Sequence, residues 1–191
     1  MNASSAPDLH RACPADAERL VELARETFID TFGHLYPAED LQAFLADAHT
    51  PQRYEAWMDN PAYAVWIAEQ DGRALGYALT GPCHLPHPEV TADCGELWRL
   101  YVRRETQGTG LGGQLLDAAL QGLAQPGRRL WLGVWSENHR AQKIYAGRGF
   151  TKVGEYEFPV GRTRDREFIL SNQPAAADLS SDREPPPSRR S

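Results

Sequence analysis

The chain has 191 residues, 41% of them hydrophobic and 24% charged, with a formal net charge of −6, a size that suits one domain with its own core plus tails. Its acidity offers no basic face to a nucleic acid, no apolar run approaches membrane-spanning length, and the first residues lack a signal-peptide core. Cys13, Cys83 and Cys94 are odd in number and lack metal-ligand spacing, which points to a reducing, cytoplasmic setting with no metal and no membrane.

Leu9 to Ala12 reads as a short strand. Pro14 then opens a helix carrying Leu20, Leu23, Ala24, Thr27 and Phe28 at helical spacing, punctuated by Gly33 and Pro37. Leu41, Phe44 and Leu45 mark a second helix, and Pro51 opens a third around Tyr54, Trp57 and Met58. Residues 63–69 and 75–80 read as antiparallel strands joined by a turn at Asp71-Gly72, followed by a Pro- and His-rich loop to Asp93. The remainder alternates: strand 96–102, helix 110–124, strand 129–134, helix 138–147, strands 151–157 and 165–170. Residues 1–7 and the Ala-, Ser- and Pro-rich stretch 172–191 are expected to be flexible tails around a domain spanning 8–171.

The stretch Leu100 to Gly113 carries the most information. An apolar strand ends at Val102, a short charged connector follows, and a glycine cluster leads into the stripe Leu111, Leu115, Leu116, Ala119, Leu120 and Leu123. Glycines before a helix let several N–H groups converge where the helix dipole is positive, which makes an anion site. A nucleoside-triphosphate loop would need Lys followed by Ser or Thr, but Gln114 and Leu115 follow Gly113. Gly108, Gly110 and Gly113 satisfy the dinucleotide spacing G-x-G-x-x-G, with Glu137 as a ribose-binding acid, but five residues separate Val102 from Gly108 where that fingerprint opens tightly off its strand.

Gln107-Gly108-Thr109-Gly110-Leu111-Gly112 resembles, without a gap, the pyrophosphate loop of the GNAT acetyltransferases, whose pattern is Gln or Arg, two residues, Gly, one residue, then Gly or Ala. The preceding Glu96 to Val102 resembles that family's fourth strand, and Trp131 to Phe150 resembles its second motif, in which a strand leads to Asn, Ala, Tyr and then Gly-Phe. The resemblance covers Leu9 to Leu170. It implies an α/β (α+β) fold with a mixed, mostly antiparallel central sheet flanked by helices, and an N-acetyltransferase using acetyl-CoA.

Acetyl transfer to an amine requires that the thioester be held, the amine lose a proton and the thiolate gain one. The resemblance assigns holding to the backbone of Gln107, Gly108, Thr109, Gly110, Leu111, Gly112 and Gly113, to the exposed edge of Leu100, Tyr101 and Val102, and to Asn138 beside the pantetheine arm. Asn138 would equally cap the following helix; Lys143 and Arg140 would reach phosphates or lie on a solvated helix face, and Arg103 and Arg104 flank the loop. Tyr145 takes the family position of the general acid, although Ala141, Ile144 and Tyr145 also share a face that a core would use. Glu96, where relatives place a carboxylate base, has Leu97 and Trp98 to desolvate it, with His84, His87 and Glu89 as alternatives.

Residues 1–60 hold eleven acids against four arginines, a net of −7, while the remainder carries +1. The stretch Glu26 to Pro37 is acidic and aromatic and resembles the opening helices of the bacterial spermidine/polyamine acetyltransferase branch, with weaker support from Trp131–Trp135 and Asp165–Phe168. Glu26, Asp30, His34 and Tyr36 are therefore candidate contacts for a small cationic amine, while Phe28, Phe32 and Tyr36 also have the spacing of a core. A peptide N-terminus or lysine acceptor, which a shape-tolerant groove would favour, a non-catalytic acyl-CoA-binding sensor, and a dinucleotide oxidoreductase are the competing functions. The resemblance leaves a homodimer open.

Overall fold

The computed structural model describes residues 6–172. Its elements in chain order are β1 (Asp8–Arg11), α1 (Ala17–Phe32), α2 (Ala38–Ala48), α3 (Pro51–Asp59), β2 (Ala64–Gln70), β3 (Arg73–Pro82), β4 (Gly95–Val102), α4 (Leu111–Leu123), β5 (Leu130–Trp135), α5 (His139–Ala146), β6 (Thr151–Val160) and β7 (Thr163–Ser171). The strands form one sheet in the order β1-β2-β3-β4-β5-β7-β6. Every neighbouring pair is antiparallel except β4 with β5. The mixed, mostly antiparallel sheet flanked by helices is as the sequence implies.

Alternation along the strands divides the core into two layers. Leu20, Leu23 and Ala24 of α1 and Tyr54 of α3 pack on Val65, Ile67, Tyr77 and Leu79. On the opposite face, Leu116, Ala119 and Leu123 of α4 and Tyr145 of α5 pack on Ala78, Leu97, Leu132 and Val134. Local signals set the helix starts: Pro51 opens α3 behind Thr50, whose hydroxyl accepts from Arg53 N at 3.3 Å.

The structure departs from the sequence expectation at the C-terminal strands. Residues 151–157 and 165–170 extend into one hairpin, β6–β7, closed by Gly161 and Arg162. Pro159 is tolerated within β6 because β6 is the sheet edge, where no outer partner needs its missing N–H. The presumed loop after Thr80 also begins later, since Gly81 and Pro82 remain paired with Glu96 and Gly95. Asn172 continues the sheet pairing: its amide donates to Leu130 O at 3.1 Å and its Oδ1 accepts from Leu130 N at 2.8 Å. Apart from Ala6, Pro7 and Asn172, the expected tails lie outside the described residues.

Candidate active site

β4 and β5 are paired only from Gly95 to Leu97 and Leu130 to Leu132. Beyond that point they part, so the β5-facing edge of Trp98 to Val102, including Leu100, Tyr101 and Val102, has no sheet partner. An extended polar chain entering this gap could bond that edge as an added strand does. Next to the gap, the register with β3 jumps between Leu79↔Arg99 and Thr80↔Leu97, which makes Trp98 an extra residue. Trp98 packs against Trp57, and Arg99 donates to Tyr54 Oη at 2.8 Å and to the Ala48 carbonyl that ends α2.

The connector after β4 turns through Gly108 (φ +90°) and Gly110 (φ +95°), the residue that caps α4. The amides of Gln107 and Thr109 are spent inside this turn, on Arg104 O at 3.2 Å and Thr106 O at 3.3 Å. Those of Gly108, Gly110, Leu111, Gly112 and Gly113 have no acceptor among the described residues. The candidate anion cradle therefore has five amides, two fewer than the whole segment 107–113. These sit at the positive end of a 13-residue helix, as a diphosphate requires. Arg140 Nη2 lies 3.8 Å from where a side chain on Gly108 would begin, and neither Arg140 nor exposed Lys143 forms an ion pair among the described residues. Arg103 is drawn away: it pairs with Glu26 and donates to Ala74 O at 2.7 Å. Gly110→Ala would force an L side chain into left-handed backbone, costing about 1–2 kcal/mol. The expected result is an acetyl-CoA KM raised roughly tenfold with kcat retained, measured by thiol release.

Two ionisable side chains approach the divergence of β4 and β5 from opposite faces. Tyr145 lies on the α4–α5 side, 8% exposed and edge-on to Phe150 with ring centroids 6.3 Å apart, and its hydroxyl bonds to no described residue. Burial pushes this phenol up to about 12, helped by the nearby charge of Glu167. It thus stays protonated and able to donate to a thiolate, whose thiol has a pKa of about 8.5. Glu96 adjoins Leu97 and so points to the other face, also 8% exposed. Burial pushes its carboxyl up to about 7, with Glu167 adding to the rise, against bonds from the His84 amide (2.8 Å) and the Cys83 thiol.

The alternative bases are otherwise engaged. His84 Nδ1 bonds Pro82 O at 3.0 Å, His87 bonds Val153 O through Nε2 and the Glu89 amide through Nδ1, and Glu89 pairs with Arg129. Asn138 performs its capping role, its Oδ1 accepting from Ala141 N at 3.1 Å. No cluster of three or more His, Cys, Asp or Glu among the described residues could hold a metal ion, and no described helix is long and apolar enough to cross a membrane.

The structure sets the candidate acceptor residues apart from one another. Of the four, Glu26 is paired with Arg103 and borders the β2–β3 turn, while Asp30 and His34 are exposed on α1 and just beyond it. Tyr36 alone reaches the sheet, stacking on Phe28 and donating its hydroxyl to Asp165. The acidic, aromatic stretch 26–37 supplies Glu26 and Asp30, and the sheet supplies further carboxylates. Asp165 and Glu167 alternate on β7 opposite Phe168, which packs on the α4–α5 side, so both face the side of Glu96. The alternation Asp165, Glu167, Ile169 was the available signal. Tyr156 donates to Glu167 Oε2 at 2.5 Å, and Phe32 meets both Trp135 (5.8 Å) and Tyr101 (6.4 Å) edge-on.

A parallel strand pair that splays beside a run of unpaired amides, with a buried tyrosine on one face of the sheet and a buried glutamate on the other, is an arrangement that could accommodate a diphosphate-bearing thioester. The profile of the acetyltransferase (GNAT) family matches residues 18–150. The chain is 33% identical over 160 residues to an uncharacterized N-acetyltransferase of Lactobacillus delbrueckii subsp. lactis, spanning 81% of this chain and 90% of that protein. It is 25% identical over 135 residues to the spermine/spermidine N(1)-acetyltransferase of Bacillus subtilis, covering 63% and 88%. Among solved structures it is similar to the PaiA N-acetyltransferase of Thermoplasma acidophilum in complex with coenzyme A, with a TM-score of 0.70 and 20% identity over 88% of this chain and 99% of that one. This chain belongs to the GNAT acetyltransferase family. It is an acyltransferase with acetyl-CoA as cosubstrate.

Proposed function

We propose that the protein acetylates a primary amine of a small cationic acceptor, polyamine-like in charge, by direct transfer in a ternary complex in the cytoplasm. The observation that carries this reading is the parting of β4 and β5 after Leu97 and Leu132, with Tyr145 on one face and Glu96 on the other. Acetyl-CoA supplies the activated acyl group. The five unpaired amides hold its diphosphate, the free edge of Leu100 to Val102 aligns its arm, and Arg140 and Lys143 add positive charge. Glu96 takes a proton from the incoming ammonium, the amine nitrogen bonds to the acyl carbon, and the carbon–sulfur bond breaks. Tyr145 protonates the departing sulfur and recovers a proton from the newly acylated nitrogen.

Two contacts support a small acceptor over a peptide. Tyr36 bridges the α1–α2 connection to Asp165, and Arg162 in the β6–β7 turn pairs with Glu39 and Asp40 of α2. These ties draw α2 and the hairpin together across the acceptor face, where a peptide would need an open groove. The similarity to a spermine/spermidine acetyltransferase supports a polyamine-like charge. An acceptor screen with acetyl-CoA, reading thiol release against polyamines, amino acids, aminoglycosides and peptides, tests the reading. The expected outcome is turnover with polyamines, and turnover with peptides alone overturns the acceptor assignment. No release with any amine, combined with tight coenzyme A binding, identifies a sensor instead.

A further inference from the structure

We infer that Glu167, held by the Tyr156 hydroxyl above the bare backbone of Gly133, receives the positive charge of the acceptor and selects amines that arrive as alkylammonium ions. This rests on the N-acetyltransferase reading above and assigns to it a residue that determines specificity.

Away from the cleft, acids are either paired, as Glu26 with Arg103, Glu69 with Arg19, Glu89 with Arg129, Asp117 with Arg148 and Glu155 with Arg166, or, as with Glu22, Asp30 and Glu157, exposed to water. Around the divergence of β4 and β5 neither holds. Glu96, Asp165 and Glu167 have no cationic partner among the described residues and are bonded only to an amide, a thiol and tyrosine hydroxyls. A largely buried carboxylate without a counter-charge is unfavourable, and a cation delivered by a ligand relieves it.

The placement of Glu167 is equally specific. Gly133 is the first β5 residue beyond the last one paired with β4. A Cβ on it would fall 2.7 Å from Tyr156 Oη and 2.8 Å from Glu167 Oε2, so this pair rests directly on the strand at the mouth of the gap. Trp135 is paired with Glu167 across the β5–β7 ladder, and its indole with Phe32 and Tyr101 supplies ring faces for an ammonium. The two glutamates then divide the work, Glu167 binding the charge and Glu96 accepting the proton.

The test compares 1,4-diaminobutane, a dication at neutral pH, with aniline, which is neutral there, using the full chain, acetyl-CoA and thiol release. The wild type is expected to favour the diamine in kcat/KM by at least a hundredfold. Glu167→Gln is expected to cut that preference at least tenfold through the diamine KM, leaving the acetyl-CoA KM within twofold, and Glu167→Asp to restore part of it. Gly133→Ala, which displaces the pair without removing charge, is expected to lower the preference too and carries the test if Glu167→Gln does not fold. An unchanged preference in these variants, or no rescue by Asp, overturns the inference while leaving the acetyltransferase reading intact. A wild type inert toward every amine overturns both.

Discussion

Tyr145→Phe is expected to lower kcat about a hundredfold or more while leaving the KM for acetyl-CoA within about twofold, in steady-state thiol-release assays. The substitution keeps the ring that packs with Leu97, Val134 and Phe150 and removes only a hydroxyl that bonds to no described residue. A tyrosine serving only the core would tolerate it with little change in rate. A general acid is worth about 10²–10⁴-fold, so a hundredfold loss corresponds to about 2.7 kcal/mol of transition-state stabilisation. With its phenol near 12, Tyr145 stays protonated across the working range, so the variant's residual activity should keep the wild-type pH dependence below pH 9. A rate unchanged at saturating substrates would remove Tyr145 from the chemistry.

Glu96→Gln is expected to reduce kcat/KM by about two orders of magnitude and to abolish a limb in the pH–rate profile near 7. The base works only when ionised, and burial holds its carboxyl up at about 7, so wild-type activity should rise with pH through that value. The groups facing it are the carboxylate of Glu167 on β7, the Tyr156 hydroxyl on β6, the Cys83 thiol and the His84 amide. Stability should move the other way. A carboxyl whose folded pKa is raised binds more protons folded than unfolded between about 4.5 and 7, so the stability it contributes is present below that window and lost as pH rises through it. Glu96→Gln should therefore raise Tm at pH 8 by a few degrees while it lowers activity, in the manner of other strained functional groups. Thermal unfolding of both proteins at pH 5 and pH 8 checks this: a Tm difference independent of pH would mean that Glu96 titrates in the ordinary range.

Much of the fold was legible because its signals are local. Helix periods, Pro51, the Asp71-Gly72 turn and the glycine run at 108–113 each act over a few residues, and the elements they predict are present. The failures were also local. The strands expected at 151–157 and 165–170 run on to 160 and back from 163, because their pairing with each other continues to the turn. Gln107 and Thr109 were assigned amides for the diphosphate, but whether an amide is spent inside a turn depends on φ and ψ at its neighbours. On the acceptor side, the stretch Glu26 to Pro37 offers its acids as near neighbours, while Asp165, which meets Tyr36, and Glu167 come from β7, more than a hundred residues later.

The order of residues by itself determined the glycine turn before α4 and the sequence of strands and helices, because backbone freedom and side-chain periodicity are written in near neighbours, while Tyr145 and Glu96 were marked by the resemblance of their motifs to the family. Only the tertiary structure decided where β4 releases β5, which carboxylates lack a cationic partner, and that Gly133 leaves room for Glu167 and Tyr156. Those are consequences of distant strands meeting in register, and no local stretch of chain encodes which charges its neighbours in space will leave unpaired.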